Sequence, residues 1–128
     1  MKYEKQIQSF VDGFLRQEGI FNIRIDDGLY RLLNRIPGGA KYHAARSIRG
    51  LPDNTCCLPI HGTPFFLGLA IENKSDIGKL HGTQNQVARN MNTQVVREPE
   101  ELIKLYGQYQ KAIDKITEIL TEEINDGT

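Results

Sequence analysis

Two short stretches of this sequence carry residue types that can do chemistry together. One is Gly50-Leu51-Pro52-Asp53. The other begins nineteen positions after that aspartate, at Glu72-Asn73-Lys74. Glu72 and Lys74 stand two apart at the end of an apolar run that reads as a strand, so their side chains leave the same face. Asp53 stands where the preceding strand of a hairpin begins. In an antiparallel pair the start of one strand lies beside the end of the next, which brings Asp53 toward Glu72 and Lys74. Two carboxylates at one sheet edge repel unless a cation sits between them, and an oxygen-rich site suits Mg2+ or Mn2+. A lysine beside them can orient a water or offset charge developing on a phosphate. Each piece alone has a plainer reading: Leu-Pro-Asp-Asn is an ordinary turn, and Glu-x-Lys is an ordinary solvated strand edge.

The elements that must position these residues follow from hydrophobic spacing. Residues 3–18 read as a helix whose apolar stripe is Ile7, Phe10, Val11, Phe14 and Leu15, stopped by Gly19. Residues 20–25 alternate as a short strand, 28–36 form a short helix, and Pro37-Gly38-Gly39 breaks it. Asp53-Asn54 is a turn-like pair leading into a strand over 55–60. His61-Gly62-Thr63 is a hairpin turn, and 64–71 is a central strand covered on both faces. Thr83 caps a helix that runs to Met91, with Val87, Ala88 and Met91 inward, and Asn92 ends it. Residues 93–96 form a short strand. Pro99 opens a last helix, its first turn rich in glutamate and its apolar face running from Leu102 to Leu120. The predicted class is α/β, a mixed sheet flanked by helices, within one domain over 1–128.

Composition narrows the function classes. Lys+Arg and Asp+Glu are 16 each, so the chain carries no overall basic coat. The charge is uneven, however. From Arg24 to Arg49 six Lys/Arg face two acids, while from Arg97 to Thr128 eight acids face four Lys/Arg. That split suits one face for an anionic partner and one turned away, although solvated helix faces account for it equally well. Cys56 and Cys57 are sequence neighbours and read as reduced thiols in a cytoplasmic protein. A zinc site built on them with His61 lacks a second ligand cluster, and His43, His61 and His81 have no ligand-set spacing. No apolar run approaches bilayer length, and the N-terminus lacks an apolar signal core.

The run Arg49-Gly50-Leu51-Pro52-Asp53, an apolar hairpin, then Ile71-Glu72-Asn73-Lys74, resembles the PD-(D/E)xK nuclease superfamily and, within it, the VRR-Nuc group in its stand-alone phage form. Glu4, Ile7 and Val11 fit that group's first-helix pattern, and Gln84 fits its glutamine about ten positions past the lysine. Asn54 and Asn73 are polar where the group is usually apolar. The resemblance implies a restriction-endonuclease-like sheet in αβββαβα order. It implies an endonuclease that hydrolyses DNA with Mg2+ or Mn2+ held by Asp53, Glu72 and the backbone carbonyl of Asn73, with Glu4 extending the site. Lys74 would orient the attacking water, and Gln84 would steady Lys74 or a phosphate, a part that Gln86 could fill instead. Small members resemble Holliday-junction resolvases, so a homodimer acting on DNA, branched DNA included, is expected. Lys41, Arg46 and Arg49 are the candidates for holding the phosphate backbone near Asp53. The alternative from another class is a non-catalytic nucleic-acid- or partner-binding module on the same scaffold. Divalent-ion binding separates the two.

Overall fold

The computed structural model describes residues 3–25, 32, 35, 38 and 49–126, with the side chains of 124–126 set aside. Along the chain the elements are α1 (Glu4–Gln17), β1 (Phe21–Arg24), β2 (Asn54–Pro59), β3 (Phe66–Asn73), α2 (Gly82–Met91), β4 (Gln94–Val96) and α3 (Pro99–Asp126). The class is therefore mixed α/β. The four strands make one sheet in the order β1-β2-β3-β4. The first three pair antiparallel, and β4 joins β3 in parallel. Parallel pairing requires a crossover, which α2 supplies.

Helix α1 forms where the stripe predicts. Ile7, Val11 and Leu15, spaced four apart, are buried along it, each worth roughly 1.5–3 kcal/mol. They meet Cys56, Ile71, Val96, Leu102 and Tyr109 in one core, with Phe10, Phe14, Leu58, Leu67 and Leu69 packed around it. Tyr109, a buried residue of α3, donates its hydroxyl hydrogen to the Leu67 carbonyl and so ties α3 to β3. Long as α3 is, no helix among the described residues is both long and apolar enough to cross a membrane.

Five expectations need correction. Asn54 is a buried strand residue rather than part of a turn. Strand β3 starts at Phe66 and runs through Asn73, two residues beyond the predicted 64–71, so Glu72 and Asn73 lie inside the ladder. Its covering is also uneven: Phe66 and Gly68 are exposed, and only Ala70–Asn73 are buried in succession, because the sheet is closed over on both faces only near its carboxyl end. Finally, α2 is capped at His81, not Thr83. The Gln84 side chain folds back so that its Oε1 accepts the His81 backbone N–H at 3.1 Å, which starts the helix earlier; Met91, expected inward, is 38% exposed. The predicted helix over 28–36 and the break after it lie outside the described residues, isolated positions aside.

Candidate functional site

The hairpin register explains how residues far apart in sequence meet. Asn54 pairs with Ile71, so the next step along both strands sets Asp53 beside Glu72. Ladder bonds continue past the strands. The Ile25 N–H donates to the Asp53 carbonyl at 2.9 Å, and the Lys74 N–H donates to the Val96 carbonyl at 3.1 Å. Pro52 is buried and restricts the backbone just before Asp53. Gly50 sits at φ +79°, and a Cβ there would come within 2.8 Å of the Thr83 backbone. The turn before Asp53 is thus packed directly on the first turn of α2, the turn that carries Gln84.

One carboxylate oxygen each from Glu4, Asp53 and Glu72 lies within 4.8 Å of the others. The Lys74 ammonium is 3.6 Å from Glu72 Oε1 and 3.5 Å from Gln84 Oε1. Gln84 Nε2 donates to Glu72 Oε1 at 3.2 Å. Gln84 therefore touches both Glu72 and Lys74 while anchoring the start of α2; Gln86 is exposed and has no such part. Asp53 Oδ2 accepts the Asn73 backbone N–H at 2.7 Å, which fixes the aspartate against the neighbouring strand. These groups line a cleft of about 260 Å³ together with Lys5, Gln8, Ile25, Gly50 and Leu51.

Hydration across the site is uneven: Glu4 is exposed and Asp53 half-buried, but the inner end is nearly dry. Glu72 is 3% exposed and Lys74 9%. Burial first, and the Asp53 carboxylate second, push Glu72 up to about 7, against the pull of Lys74. Burial likewise raises Asp53 above the usual carboxylate range, with the Asn73 N–H working in the opposite direction. Carboxylates held this close, one of them nearly out of water, favour a proton or a cation between them. The donor set fits a hard divalent ion: all three groups are oxygen donors, and oxygens bound to one such ion at 2.0–2.6 Å lie up to about 5 Å apart.

Of the residues singled out from sequence, Glu4, Asp53, Glu72, Lys74 and Gln84 line this one cleft; Asn73 is not among the lining residues and meets the site through its backbone N–H, which donates to Asp53. Arg49 is exposed beside the Gly50 turn and is not among the lining residues. Lys41 and Arg46 lie outside the described residues. Three cleft residues carried no sequence expectation as part of a site, Lys5, Gln8 and Ile25. Gln8 carried a usable signal, since it falls one helical turn after Glu4 and so shares its face.

The pairing of Asn54 and Asn73 also escaped the sequence reading. Both are fully buried, and Asn73 Nδ2 donates to Asn54 Oδ1 at 3.1 Å. Asn54 Nδ2 donates in turn to Asp12 Oδ1 at 3.1 Å, and Asp12 forms an ion pair with Arg24. The two buried asparagines are thus linked to each other and, through Asn54, to α1. No protein-family model, no curated protein and no solved structure matches this chain.

Proposed function

We propose that the chain is a Mg2+- or Mn2+-dependent endonuclease that hydrolyses DNA phosphodiester bonds, a VRR-Nuc-like enzyme with a restriction-endonuclease-like sheet. The observation that carries this reading is the gathering of Glu4, Asp53 and Glu72 around one point, with Lys74 beside Glu72 in the same cleft. An inert module has no need to bury a lysine among carboxylates that repel one another.

In this reading Asp53 and Glu72 hold the ion, Glu4 completes or extends the site, and the Asn73 backbone carbonyl adds a further oxygen. A divalent ion there supplies an acidified water and a counter-charge for the scissile phosphate. Lys74 orients the attacking water and offsets negative charge as the phosphate becomes five-coordinate. Gln84, bonded to both Lys74 and Glu72, keeps the ammonium from swinging out of line. Lys5, on α1 and lining the same cleft, adds a positive charge available to a DNA phosphate. Two such centres in a homodimer would cut both strands of a duplex or branched DNA.

The test is cleavage of labelled duplex, flap and four-way DNAs in Mg2+ or Mn2+, comparing the parent with Lys74→Ala. Lysine work done chiefly in the transition state costs rate rather than affinity, and loss of one preorganised partner costs about 100- to 1000-fold. If the parent cuts none of these DNAs, or folded Lys74→Ala cuts at the parental rate, the reading is wrong.

A further inference from the structure

Successive residues of a strand point to opposite faces of the sheet. Asp53 and Glu72 turn into the cleft, so the residues that follow them, Asn54 and Asn73, turn into the core. There they are hydrogen-bonded to each other, and Asn54 is bonded to Asp12 on α1. The three linked residues belong to the elements that carry the three carboxylates: α1 carries Glu4, β2 follows Asp53, and β3 holds Glu72. We infer that Asp12, Asn54 and Asn73 are positioning residues: their chain of hydrogen bonds fastens α1, β2 and β3 together directly behind the carboxylates and holds Glu4, Asp53 and Glu72 at the spacing a divalent cation takes. The inference rests on the nuclease reading above.

A fold that needed only stability would gain little from this chain. Asn54 and Asn73 are fully buried, and Asn73 Oδ1 has no hydrogen-bond partner among the described residues. Buried polar pairs are often replaced by apolar ones with no loss of stability. What apolar contacts lack is direction. Three mutually repelling carboxylates push their backbones apart, and a hydrogen bond of fixed length resists that spreading where van der Waals contact slides. Groups that brace metal ligands from behind commonly change metal affinity by about 10- to 100-fold.

The experiment measures Mn2+ affinity by calorimetry, and metal-free stability by urea unfolding, on the full chain. Asn54→Val with Asn73→Val keeps the Asp12–Arg24 ion pair and the core volume roughly intact. We expect metal-free stability to be kept or raised while Mn2+ binds about 10-fold more weakly or worse. In case that double variant does not fold, Asp12→Ala removes both the Asn54 link and the Arg24 ion pair, whereas Asp12→Asn loses the ion pair but keeps an acceptor for Asn54, so the two differ only in that link. Mn2+ binding should weaken in the first and recover in the second. Parental affinity in the folded double variant, or equal affinity in both Asp12 variants, overturns the inference. A parent that binds no Mn2+, or whose binding survives Asp53→Ala, overturns the nuclease site itself and this inference with it. Binding lost in Asp53→Ala but kept in every network variant overturns the network alone.

Discussion

Glu72→Gln keeps the shape of a buried side chain and removes its charge, so it isolates what that charge costs when no ion is bound. The folded protein holds a proton on Glu72 up to about pH 7, where an unfolded chain releases it near 4.5. Between those values the folded state binds more protons, so metal-free stability must fall as pH rises through that window and level off above it. At 1.36 kcal/mol per pH unit the full loss is about 3 kcal/mol. A second carboxylate oxygen within 4.8 Å, at an effective dielectric constant of about 20, repels with about 3 kcal/mol or more, so repulsion adds to the cost of burial. Glu72→Gln should therefore melt roughly 10 °C above the parent at pH 8 in EDTA, and together with it near pH 4. Adding Mg2+ at 100 times its dissociation constant should return about 2.7 kcal/mol to the parent and little to the variant. Thermal melts followed by circular dichroism read all of this. If parent and variant melt together at pH 8 without metal, the Glu72 charge carries no cost of burial or of neighbouring carboxylates, and the electrostatic argument for a cation site fails.

Other perturbations reach different parts of the same assembly. Asp53→Ala should lower metal affinity, so excess Mg2+ should restore some of its cleavage, whereas the same excess should do little for Lys74→Ala; identical metal-titration curves for the two would merge their roles. Gly50→Ala places a Cβ against the Thr83 backbone at a positive φ and should destabilise by about 2 kcal/mol or more by urea unfolding. Parental stability in that variant would mean that the turn is not packed on α2. Neutralising Arg46 and Arg49 together should weaken DNA binding and reduce the log–log salt slope by about 1.8; an unchanged slope removes both from the phosphate contacts.

How far the sequence could be read depended on the range of the interaction behind each feature. Local periodicity disclosed α1 and the first half of the α3 face, from Leu102 to Ile113, because one amphipathic stripe is enough to bury a helix against a sheet; Ile119, expected on the same face, is exposed. Turn chemistry at His61-Gly62-Thr63 disclosed the hairpin, and the hairpin alone draws Asp53 toward Glu72. The start of α2 was misread because it depends on a side chain reaching back: Gln84 accepts the His81 N–H, and nothing in the composition of 81–84 favours that over a cap at Thr83. The uneven cover of β3 was hidden for a related reason, since an apolar run states only that a strand can be buried, not which half of it another layer reaches. The asparagines are the most instructive case. Asn54 and Asn73 are nineteen positions apart, and each taken alone is a polar residue in an apolar place. They become partners only when the register Asn54↔Ile71 is known, because that register sets Asn73 one same-face step beyond Ile71 and within reach of Asn54. The same register carries Asp53 to Glu72 on the other face. One pairing step thus produces both the candidate site and the polar link behind it, and a slip of a single residue would turn the carboxylates into the core and the asparagines into the cleft. Two buried polar side chains that can be satisfied only in this register penalise that slip. Within this sheet, the residues that look least suited to a core are the ones that keep the carboxylates on the right side of it.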